Sequence, residues 1–327
     1  MASQRFAPPG PLGFGGAPLG DMFAKVDEAT AEATLAAAWE SGIRYFDTAP
    51  HYGAGLSEHR FGAFLRQHPR DDYVLSTKVG RLLVPDIPGE IAHPFLSALP
   101  FRRVQDYSAA AARRSVEDSL QRMAVGRIDI VYVHDLAADH LGDAWTDAFE
   151  IAREGAFREL IKMREEGLIR AWGLGVNLPD PCVRALKESD PDVFLLAGRY
   201  SLLDLTGLKE LFPLCAERGA RVVVGGPFNS GLLAGGTTFD YQDAPAEQVA
   251  ARDRLLAVAK EHGVDLKAAA LQFCAAHPVV ASVIPGAKHP ERVRENAALM
   301  ARKIPAAFWA SLKAQSLLPE EAPTPAG

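Results

Sequence analysis

The chain has 327 residues, of which 48% are hydrophobic and 23% charged, and it carries a formal net charge of −6 at pH 7. This composition is typical of an ordinary globular protein, and the acidic balance argues against a general nucleic-acid binder. The amino-terminal decapeptide MASQRFAPPG lacks the apolar run of a signal peptide, and no stretch reaches the about 18 apolar residues of a membrane span. We therefore expect one cytoplasmic domain over residues 1–327 without membrane or nucleic-acid partners, in an oligomeric state that the sequence leaves open.

Short apolar segments alternate along the chain with longer amphipathic ones, a pattern that predicts repeated βα units and a parallel sheet. The eight predicted strands are Gly13–Ala17, Ile43–Asp47, Tyr73–Lys78, Ile128–His134, Ala171–Val176, Val193–Ala197, Arg221–Gly225 and Ala281–Pro285. Apolar residues at three- and four-residue spacing predict helices between them, at Glu28–Ser41, Ser57–Gln67, Ala109–Met123, Gly155–Glu166, Leu205–Arg218 and Glu247–Glu261.

Eight such strands favour a closed (α/β)8 TIM barrel over an open, doubly wound sheet. The open sheet would place a G-x-G-x-x-G turn after the first strand, whereas residues 13–18 read GFGGAP. Two long segments interrupt the βα pattern: Arg81–Tyr107, which contains four prolines and is expected to be irregular, and Phe228–Ala246. Because both follow strands, they are predicted to be long loops at the carboxyl-terminal face of the barrel. Residues 319–327 are expected to form a loose tail.

Polar residues stand at the ends of four predicted strands: Asp47, Lys78, His134 and Asn177. In a barrel the carboxyl ends of all strands converge on one mouth, where active sites are found. Tyr52 follows Asp47 by five residues, in the turn DTAPHYG, and therefore reaches the same mouth. Taken singly, each of these residues is also compatible with a structural role, Asp47 as a helix cap and His134 as a buried core histidine.

Together, these side chains make chemical sense as a proton-transfer device. A free phenol has a pKa of about 10, and an adjacent ammonium favours the phenolate, so Lys78 is expected to lower the pKa of Tyr52. Asp47 would hold Lys78 in place and charged. His134 would donate a hydrogen bond to the reacting oxygen and orient the substrate.

Four sequence segments resemble the successive signatures of the aldo-keto reductases and span nearly the whole chain: IRYFDTAPHYGAGLSE, LSTKVG, SVEDSLQRMAVGRIDIVYVHD and IPGAKHPERVREN. The resemblance implies a barrel that binds NAD or NADP without a Rossmann fold. It also implies a catalytic tetrad of Asp47, Tyr52, Lys78 and His134, each matched by identity.

The resemblance further implies a set of cofactor contacts, with a first-strand turn near the nicotinamide, Asp47 on the ribose and Asn177 on the carboxamide. The glutamine and the aromatic residue that many members carry on strands six and seven are replaced by Ala197 and Gly225. The residues assigned to the cofactor are Gly15, Gly16, Ala17, Asp47, Asn177, Gly226, Pro227, Gly231, Leu233, Pro285, Gly286, Ala287, Lys288, Arg292, Glu295 and Asn296.

The segment 284–296 reads as a strand, a glycine turn and a helix that begins near Pro290, which fits the phosphate site of a barrel. By resemblance, Arg292 and the residues 295–296 lie near the adenine. Gly286 and Ala287 stand where many NADP-dependent members have Lys and Ser or Thr. We therefore expect NAD to be preferred over NADP, although Lys288 offers a charge for a phosphate.

Within the family, PLGFGGAPLG, VHDL and AGRYSLLD are most similar to bacterial aldose 1-dehydrogenases of the L-fucose and D-threo-aldose type, and pyridoxal 4-dehydrogenases are also similar. The implied reaction is oxidation of an anomeric hydroxyl to a lactone, with Tyr52 as general base and a sugar or pyridoxal-like small molecule as substrate. Candidates to line its pocket are Phe101, Tyr107, Trp145 and Phe228.

Other functional classes stay open. A general aldehyde or ketone reductase is an alternative on this fold, and so is a cofactor-sensing binding protein, although the intact tetrad favours an enzyme over a binding protein. A metal-dependent barrel hydrolase is not favoured, because it would need His and acidic ligands at several strand ends, which here offer one His, one Lys and one Asp. The remaining histidines lack metal-ligand spacing such as H-x-x-x-H. No metal is therefore expected. The three cysteines are widely spaced, so neither a disulfide framework nor a cysteine-based zinc site is predicted. Arg102 and Arg103 are expected to be solvated loop charges.

Overall fold

A cylinder of eight parallel strands forms the centre of the computed structural model, which describes residues 5–325. Each strand pairs with the next barrel strand in the sequence. The first and last strands meet through parallel bridges from Leu12 to Val283 and from Gly15 to Gly286, which nearly close the sheet. The predicted (α/β)8 barrel is thereby confirmed. The strands are β1 (Phe14–Gly15), β2 (Tyr45–Asp47), β3 (Val74–Val79), β4 (Arg81–Pro85), β5 (Phe101–Gln105), β6 (Ile130–His134), β7 (Ala171–Val176), β8 (Val193–Ala197), β9 (Arg221–Gly225), β10 (Thr238–Phe239), β11 (Gln242–Asp243) and β12 (Val280–Ile284).

Helices surround the barrel, and polar side chains cap several of their amino termini. Asp27 accepts a hydrogen bond from the amide of Thr30, and Ser108 accepts one from the amide of Ala111. The α-helices are α1 (Glu28–Glu40), α2 (Leu56–Leu65), α3 (Ala109–Met123), α4 (Ala138–Leu141), α5 (Trp145–Ala152), α6 (Arg158–Glu165), α7 (Asp180–Glu188), α8 (Thr206–Lys209), α9 (Leu211–Arg218), α10 (Ala246–Glu261), α11 (Leu266–Ala276), α12 (Pro290–Met300) and α13 (Ala306–Ala314).

Two predicted helices have different bounds in the structure. The helix expected over Leu205–Arg218 is divided at Glu210 into α8 and α9. Pro213 stands in the first turn of α9, where its missing N–H is tolerated, whereas a continuous helix would need that group. The helix expected to begin at Gly155 instead continues from α5 through a π-helical turn, Arg153–Phe157, into α6.

The two interruptions of the βα pattern also contain regular structure. The expectation that Arg81–Tyr107 is irregular is wrong at both ends of the segment. There, β4 and β5 pair as antiparallel strands, with Arg81 opposite Gln105 and Pro85 opposite Phe101. Between them, Phe95 is buried and forms a bridge with Met22. The second interruption holds a 3-10 segment, Asn229–Ala234, and the short hairpin of β10 and β11.

The carboxyl-terminal segment is packed against the molecule. Leu318 is 2% exposed and Ala322 is fully buried, whereas Glu320 and Glu321 are exposed; residues 326–327 lie outside the described range. No helix within residues 5–325 combines the length and apolar character that crossing a membrane requires.

Side-chain alternation along the strands sorts the core into two parts. Tyr45, Ile130 and Tyr132 belong to a small cluster inside the barrel, whereas Phe46 and Val131 belong to the large cluster between the barrel and its helices. The next inward positions after these interior residues lie at the carboxyl ends of the strands. The alternation therefore turns polar side chains at the strand ends toward the mouth of the barrel.

Candidate active site

A buried ion pair lies at the mouth of the barrel, between the ends of β2 and β3. Nζ of Lys78 is 2.8 Å from Oδ2 of Asp47 and 2.9 Å from the carbonyl oxygen of Thr48. Ser76 donates a 2.6 Å hydrogen bond to Oδ1 of the same carboxylate. Since Ser76 and Lys78 are two residues apart on β3, both face inward. The Lys78 and Asp47 side chains are each 2% exposed, so the pair is shielded from water.

Tyr52 and His134 complete the group of four predicted catalytic residues. Nζ of Lys78 lies over the Tyr52 ring, 4.7 Å from its centroid, and the ring centroids of Tyr52 and His134 are 6.0 Å apart. Tyr107 donates a 2.9 Å hydrogen bond to the carbonyl oxygen of His134 and anchors the end of β6. The structure thus brings the four side chains together at a cavity of about 680 Å³, which Tyr52, Lys78 and His134 line.

The protonation of Tyr52 differs from the expectation. Burial raises the pKa of Tyr52 well above its ordinary value, and the negative charges of Asp47 and Asp135 raise it further, while Arg81 opposes the rise. The expectation that Lys78 lowers the pKa of Tyr52 is wrong for the protein without a bound cofactor, because the Lys78 ammonium forms an ion pair with Asp47. Tyr52 is therefore a neutral phenol at neutral pH, a form that donates a proton.

His134 is also neutral. Burial, together with the positive charges of Lys78 and Arg81, holds the pKa of His134 well below its ordinary value. A neutral imidazole keeps one N–H donor and one acceptor nitrogen, so it can bind a hydroxyl or carbonyl oxygen without competing for the proton of Tyr52.

The four aromatic residues proposed to line the pocket do not line it. Tyr107 is buried behind His134, and Trp145 packs edge-on against Phe149. The cavity wall comes instead from the ends of other loops, at Met22, His51, His93, Phe95, Asp135, Asp139, His140, Arg199, Asp240, Tyr241 and Gln242. Sequence spacing carries no signal for most of these residues, because they lie in irregular segments. Asp135 and His140 follow the β6 strand end closely and were the most accessible to sequence reasoning.

The Arg81–Tyr107 segment is fastened to the site by its own arginines. Arg81 lies 2.6 Å from the carboxylate of Asp135. Arg103 donates hydrogen bonds to the carbonyl oxygen of His51, and its side chain is 5% exposed. The expectation that Arg103 is a solvated loop charge is therefore wrong.

The predicted nicotinamide contacts lie on the same face of the barrel. Ala17 and Asn177 line the cavity, and Nδ2 of Asn177 donates a 2.8 Å hydrogen bond to Asp139. The glycines before Ala17 have a packing reason of their own, because a Cβ atom at Gly15 would come within 2.9 Å of the Ile284 carbonyl oxygen and one at Gly16 within 2.7 Å of the Asp47 carbonyl oxygen.

The segment after β9 lies at the neighbouring strand end. Gly226 and Gly231 have φ angles of +58° and +107°, which residues other than glycine rarely adopt. Pro227 follows directly. Leu233 is 2% exposed and its amide donates to the Phe228 carbonyl oxygen.

The predicted phosphate and adenine end follows β12. Helix α12 begins at Pro290, which has no N–H, and the side chain of His289 does not cap the helix. Because the Arg292 amide donates to the His289 carbonyl oxygen, the Glu291 amide is the one in the first turn that is left for an anion. Asn296 is 3% exposed, and none of the hydrogen bonds among the described residues involves its side chain. Arg292 and Lys267 both pair with Glu295. The Glu291 amide, the nearly buried side chain of Asn296 and the Lys288 ammonium are compatible with a dinucleotide that lies along Pro285, Gly286, Ala287 and Lys288.

Within residues 5–325, no group of three or more His, Cys, Asp or Glu side chains is arranged to hold a metal ion. The three cysteines, Cys182, Cys215 and Cys274, are buried and free. Burial raises the pKa of all three thiols, which leaves them as unreactive core residues.

Comparison with known proteins agrees with this geometry. The model of the aldo/keto reductase family matches residues 11–316. The chain is 43% identical to a pyridoxal 4-dehydrogenase of Microbacterium luteolum and 39% identical to a D-threo-aldose 1-dehydrogenase of Pseudomonas sp., with 94% of each chain covered in both cases. Among solved structures, the holo form of an aldo-keto reductase from Bacillus halodurans superimposes with a TM-score of 0.70 at 29% identity, covering 94% of this chain and 91% of the other. A glycerol dehydrogenase of Gluconobacter oxydans shares the fold, with a TM-score of 0.72 at 23% identity over 100% and 98% of the two chains.

Proposed function

Since the chain belongs to the aldo/keto reductase family, we propose that it is an NAD(P)-dependent dehydrogenase that oxidises the C1 hydroxyl of an aldose, such as L-fucose or a D-threo-aldose, to the lactone. The observation that carries the proposal is the placement of Tyr52 and His134 around one cavity, with the buried Lys78–Asp47 pair beneath them. The similarity to a D-threo-aldose 1-dehydrogenase over 94% of the chain supports the substrate class.

In the proposed reaction, the phenolic oxygen of Tyr52 accepts the proton of the C1 hydroxyl. When bound, the nicotinamide supplies the acceptor for the hydride that leaves C1. His134 donates a hydrogen bond to the reacting oxygen, and the Lys78 ammonium stabilises the negative charge that develops there. Because the pKa of Tyr52 is raised, its basic form is scarce at neutral pH. We therefore expect oxidation to become faster as the pH rises, whereas reduction, which uses the phenol as acid, should change little as long as the phenol stays protonated.

The cofactor assignment follows the residues after β12. Gly286 and Ala287 provide no cation for a 2′-phosphate, and Lys288 is a single partly buried cation. We expect NAD to be preferred over NADP on this ground. The uncapped amino terminus of α12 would hold the pyrophosphate or a phosphate in either case.

Oxidation of pyridoxal is a second candidate function, since its cyclic hemiacetal also has a hydroxyl that yields a lactone. The 43% identity with a pyridoxal 4-dehydrogenase favours it. Phe95, stacked on Tyr52 with ring centroids 5.8 Å apart, offers an aromatic wall that suits a flat ring.

The deciding experiment is an ultraviolet absorbance assay for reduced nicotinamide with L-fucose, D-arabinose, L-galactose and pyridoxal, each with NAD⁺ and NADP⁺. Formation of NADH with the sugars is the expected result. Activity on pyridoxal alone would move the protein to the second function. No activity on any of the four substrates would contradict both proposed functions, and aldehyde reduction with NADPH would be the next assay.

A matched control removes the proton-transfer group alone. Tyr52→Phe should lose at least about 100-fold of the activity on every substrate that the wild type oxidises, while it still changes the fluorescence of the reduced cofactor as the wild type does. A protein that binds the cofactor but turns over no aldose, aldehyde or pyridoxal would instead be a cofactor-sensing binding protein.

A further inference from the structure

Asp135 is placed beside His134 by an unusual backbone conformation. Its φ is +51°, in the left-handed region that aspartate tolerates better than most residues, and its amide donates a 3.0 Å hydrogen bond to the carbonyl oxygen of Gly175. The residue ends β6 by turning away from the strand. As a result, its side chain lines the cavity next to the catalytic histidine.

The two carboxylate oxygens of Asp135 have different surroundings. Oδ2 lies 2.6 Å from Nη2 of Arg81 and 3.6 Å from Nε2 of His140. Oδ1 lies 3.6 Å from Nε2 of His134, which is longer than a hydrogen bond. Among the described residues, none donates a hydrogen bond to Oδ1. The side chain is 10% exposed.

Asp135 lines the cavity in which the substrate reacts, and its Oδ1 has no hydrogen-bond donor among the described residues. An ionised carboxylate only accepts hydrogen bonds, so this oxygen can accept one from a ligand, and hydrogen bonds to charged groups are among the stronger ones. A ligand that brings a hydroxyl group to this oxygen would therefore gain binding energy.

We propose that Oδ1 of Asp135 binds the C2 hydroxyl of an aldose substrate while His134 binds the reacting C1 oxygen, an inference that rests on the proposed dehydrogenase function. The 3.6 Å between Oδ1 and Nε2 of His134 suits two hydroxyl oxygens on neighbouring carbons. Asp135 is thus a substrate-binding residue that selects for a hydroxyl next to the reacting carbon. Arg81 holds it in place through the other oxygen.

The same carboxylate discriminates between the two candidate substrate classes. Pyridoxal carries a phenolic hydroxyl on the ring carbon beside the one that bears the aldehyde. This hydroxyl ionises readily, and an oxyanion there would be repelled by Asp135. A sugar hydroxyl stays protonated and donates. Asp135 therefore favours aldoses over pyridoxal within a cavity that is otherwise open to both.

The test compares aldoses that differ only at C2. D-Arabinose and 2-deoxy-D-ribose share every other centre, and L-fucose and 2-deoxy-L-fucose form a second pair. For the wild type we expect kcat/KM to fall roughly 10- to 100-fold on loss of the hydroxyl, as for a hydrogen bond to a charged group. In Asp135→Ala the ratio of the two kcat/KM values should be about 10-fold or more smaller than in the wild type. The intrinsic reactivity of the sugars cancels when the two enzymes are compared, so this decrease measures the contact with Asp135.

Two further variants make the comparison specific. Asp135→Asn keeps an acceptor oxygen and should show an intermediate ratio. Asp143→Ala removes an exposed carboxylate eight residues along the same segment and should keep the wild-type ratio. Cofactor binding, followed by fluorescence, shows whether each variant is folded.

Each result has a definite meaning. A ratio that is the same in Asp135→Ala and the wild type overturns the role of Asp135 but leaves the dehydrogenase function intact. A wild type that binds cofactor and oxidises no aldose overturns both. If neither Asp135 variant folds, the wild type decides: equal kcat/KM for both sugars of a pair contradicts the proposal, and a 10-fold or greater loss supports it.

Discussion

Nζ of Lys78 lies 2.8 Å from Oδ2 of Asp47, and its other close acceptor is a backbone carbonyl, so the charge of this lysine is directed at the carboxylate rather than at the phenol of Tyr52. The ammonium still lies over the Tyr52 ring, 4.7 Å from its centroid. The ammonium therefore stabilises a negative charge that forms on the phenol during the reaction, but it does not ionise the phenol beforehand. It also makes the site depend on a fully buried ion pair.

Breaking that pair should destabilise the protein. Asp47→Leu leaves the Lys78 ammonium buried without its counter-ion, and we expect the free energy of unfolding to fall by about 3–5 kcal/mol. Urea unfolding followed by circular dichroism measures the change. The double variant Asp47→Leu, Lys78→Met should recover most of the loss and remain inactive. A double variant no more stable than the single one would show that the pair is not the source of the effect.

Tyr52→Phe should lower kcat by about 10²- to 10⁴-fold, since it removes the only group proposed to carry the proton. The phenyl ring keeps its stacking on Phe95 and its contact with Lys78, so cofactor affinity should change less than about threefold. Steady-state kinetics and a fluorescence titration with the reduced cofactor check the two parts separately. Turnover close to that of the wild type would refute the assigned role.

His51 should make the stability of the protein depend on pH. Burial, with Arg81 and Arg103 close by, lowers the pKa of His51 to about 2, whereas the unfolded chain titrates near its ordinary value of 6.5. Below pH 6.5 the unfolded state therefore binds a proton that the folded state refuses, and the free energy of unfolding falls as the pH is lowered. The contribution is at most about 1.4 kcal/mol per pH unit.

The measurement compares wild type and His51→Gln by urea unfolding between pH 7.5 and 4.5. The variant should lose less stability over this interval, with the two curves diverging below pH 6.5 and running parallel above it. Curves that stay parallel throughout would mean that His51 is protonated in the folded protein.

An ion pair fastens the short hairpin of β10 and β11 to the barrel. Arg199 contacts Asp240 through two hydrogen bonds of 2.8 and 2.7 Å, and both residues line the cavity. In Asp240→Asn, we expect amide hydrogen exchange over residues 228–246 to become about two- to fivefold faster, the range of a partly exposed pair. Asp243→Asn changes an exposed carboxylate of the same hairpin and serves as the control. Equal acceleration in both variants would exclude a specific role for the pair with Arg199.

In the regular part of this molecule, the sequence predicted both the strands and the side chains that face the interior. The barrel strands follow from short apolar segments, and the alternation of side chains along β2 and β3 turns Asp47, Ser76 and Lys78 to the same interior. The placement of His134 follows in the same way from β6. These results depend on local periodicity and on one rule of barrel geometry, both of which are readable in a single chain.

The sequence by itself thus determined the barrel, its mouth and the four residues that meet there, because strand period and strand order decide them locally. Only the tertiary structure decided which side chains form the cavity wall and how the site is charged. The pocket aromatics proposed from the sequence were wrong, and Met22, Asp135 and Arg199 took their place, since contacts between distant loops are not encoded in local spacing. The raised pKa of Tyr52 likewise arises from burial and from the charges around it, which exist only once the chain has folded.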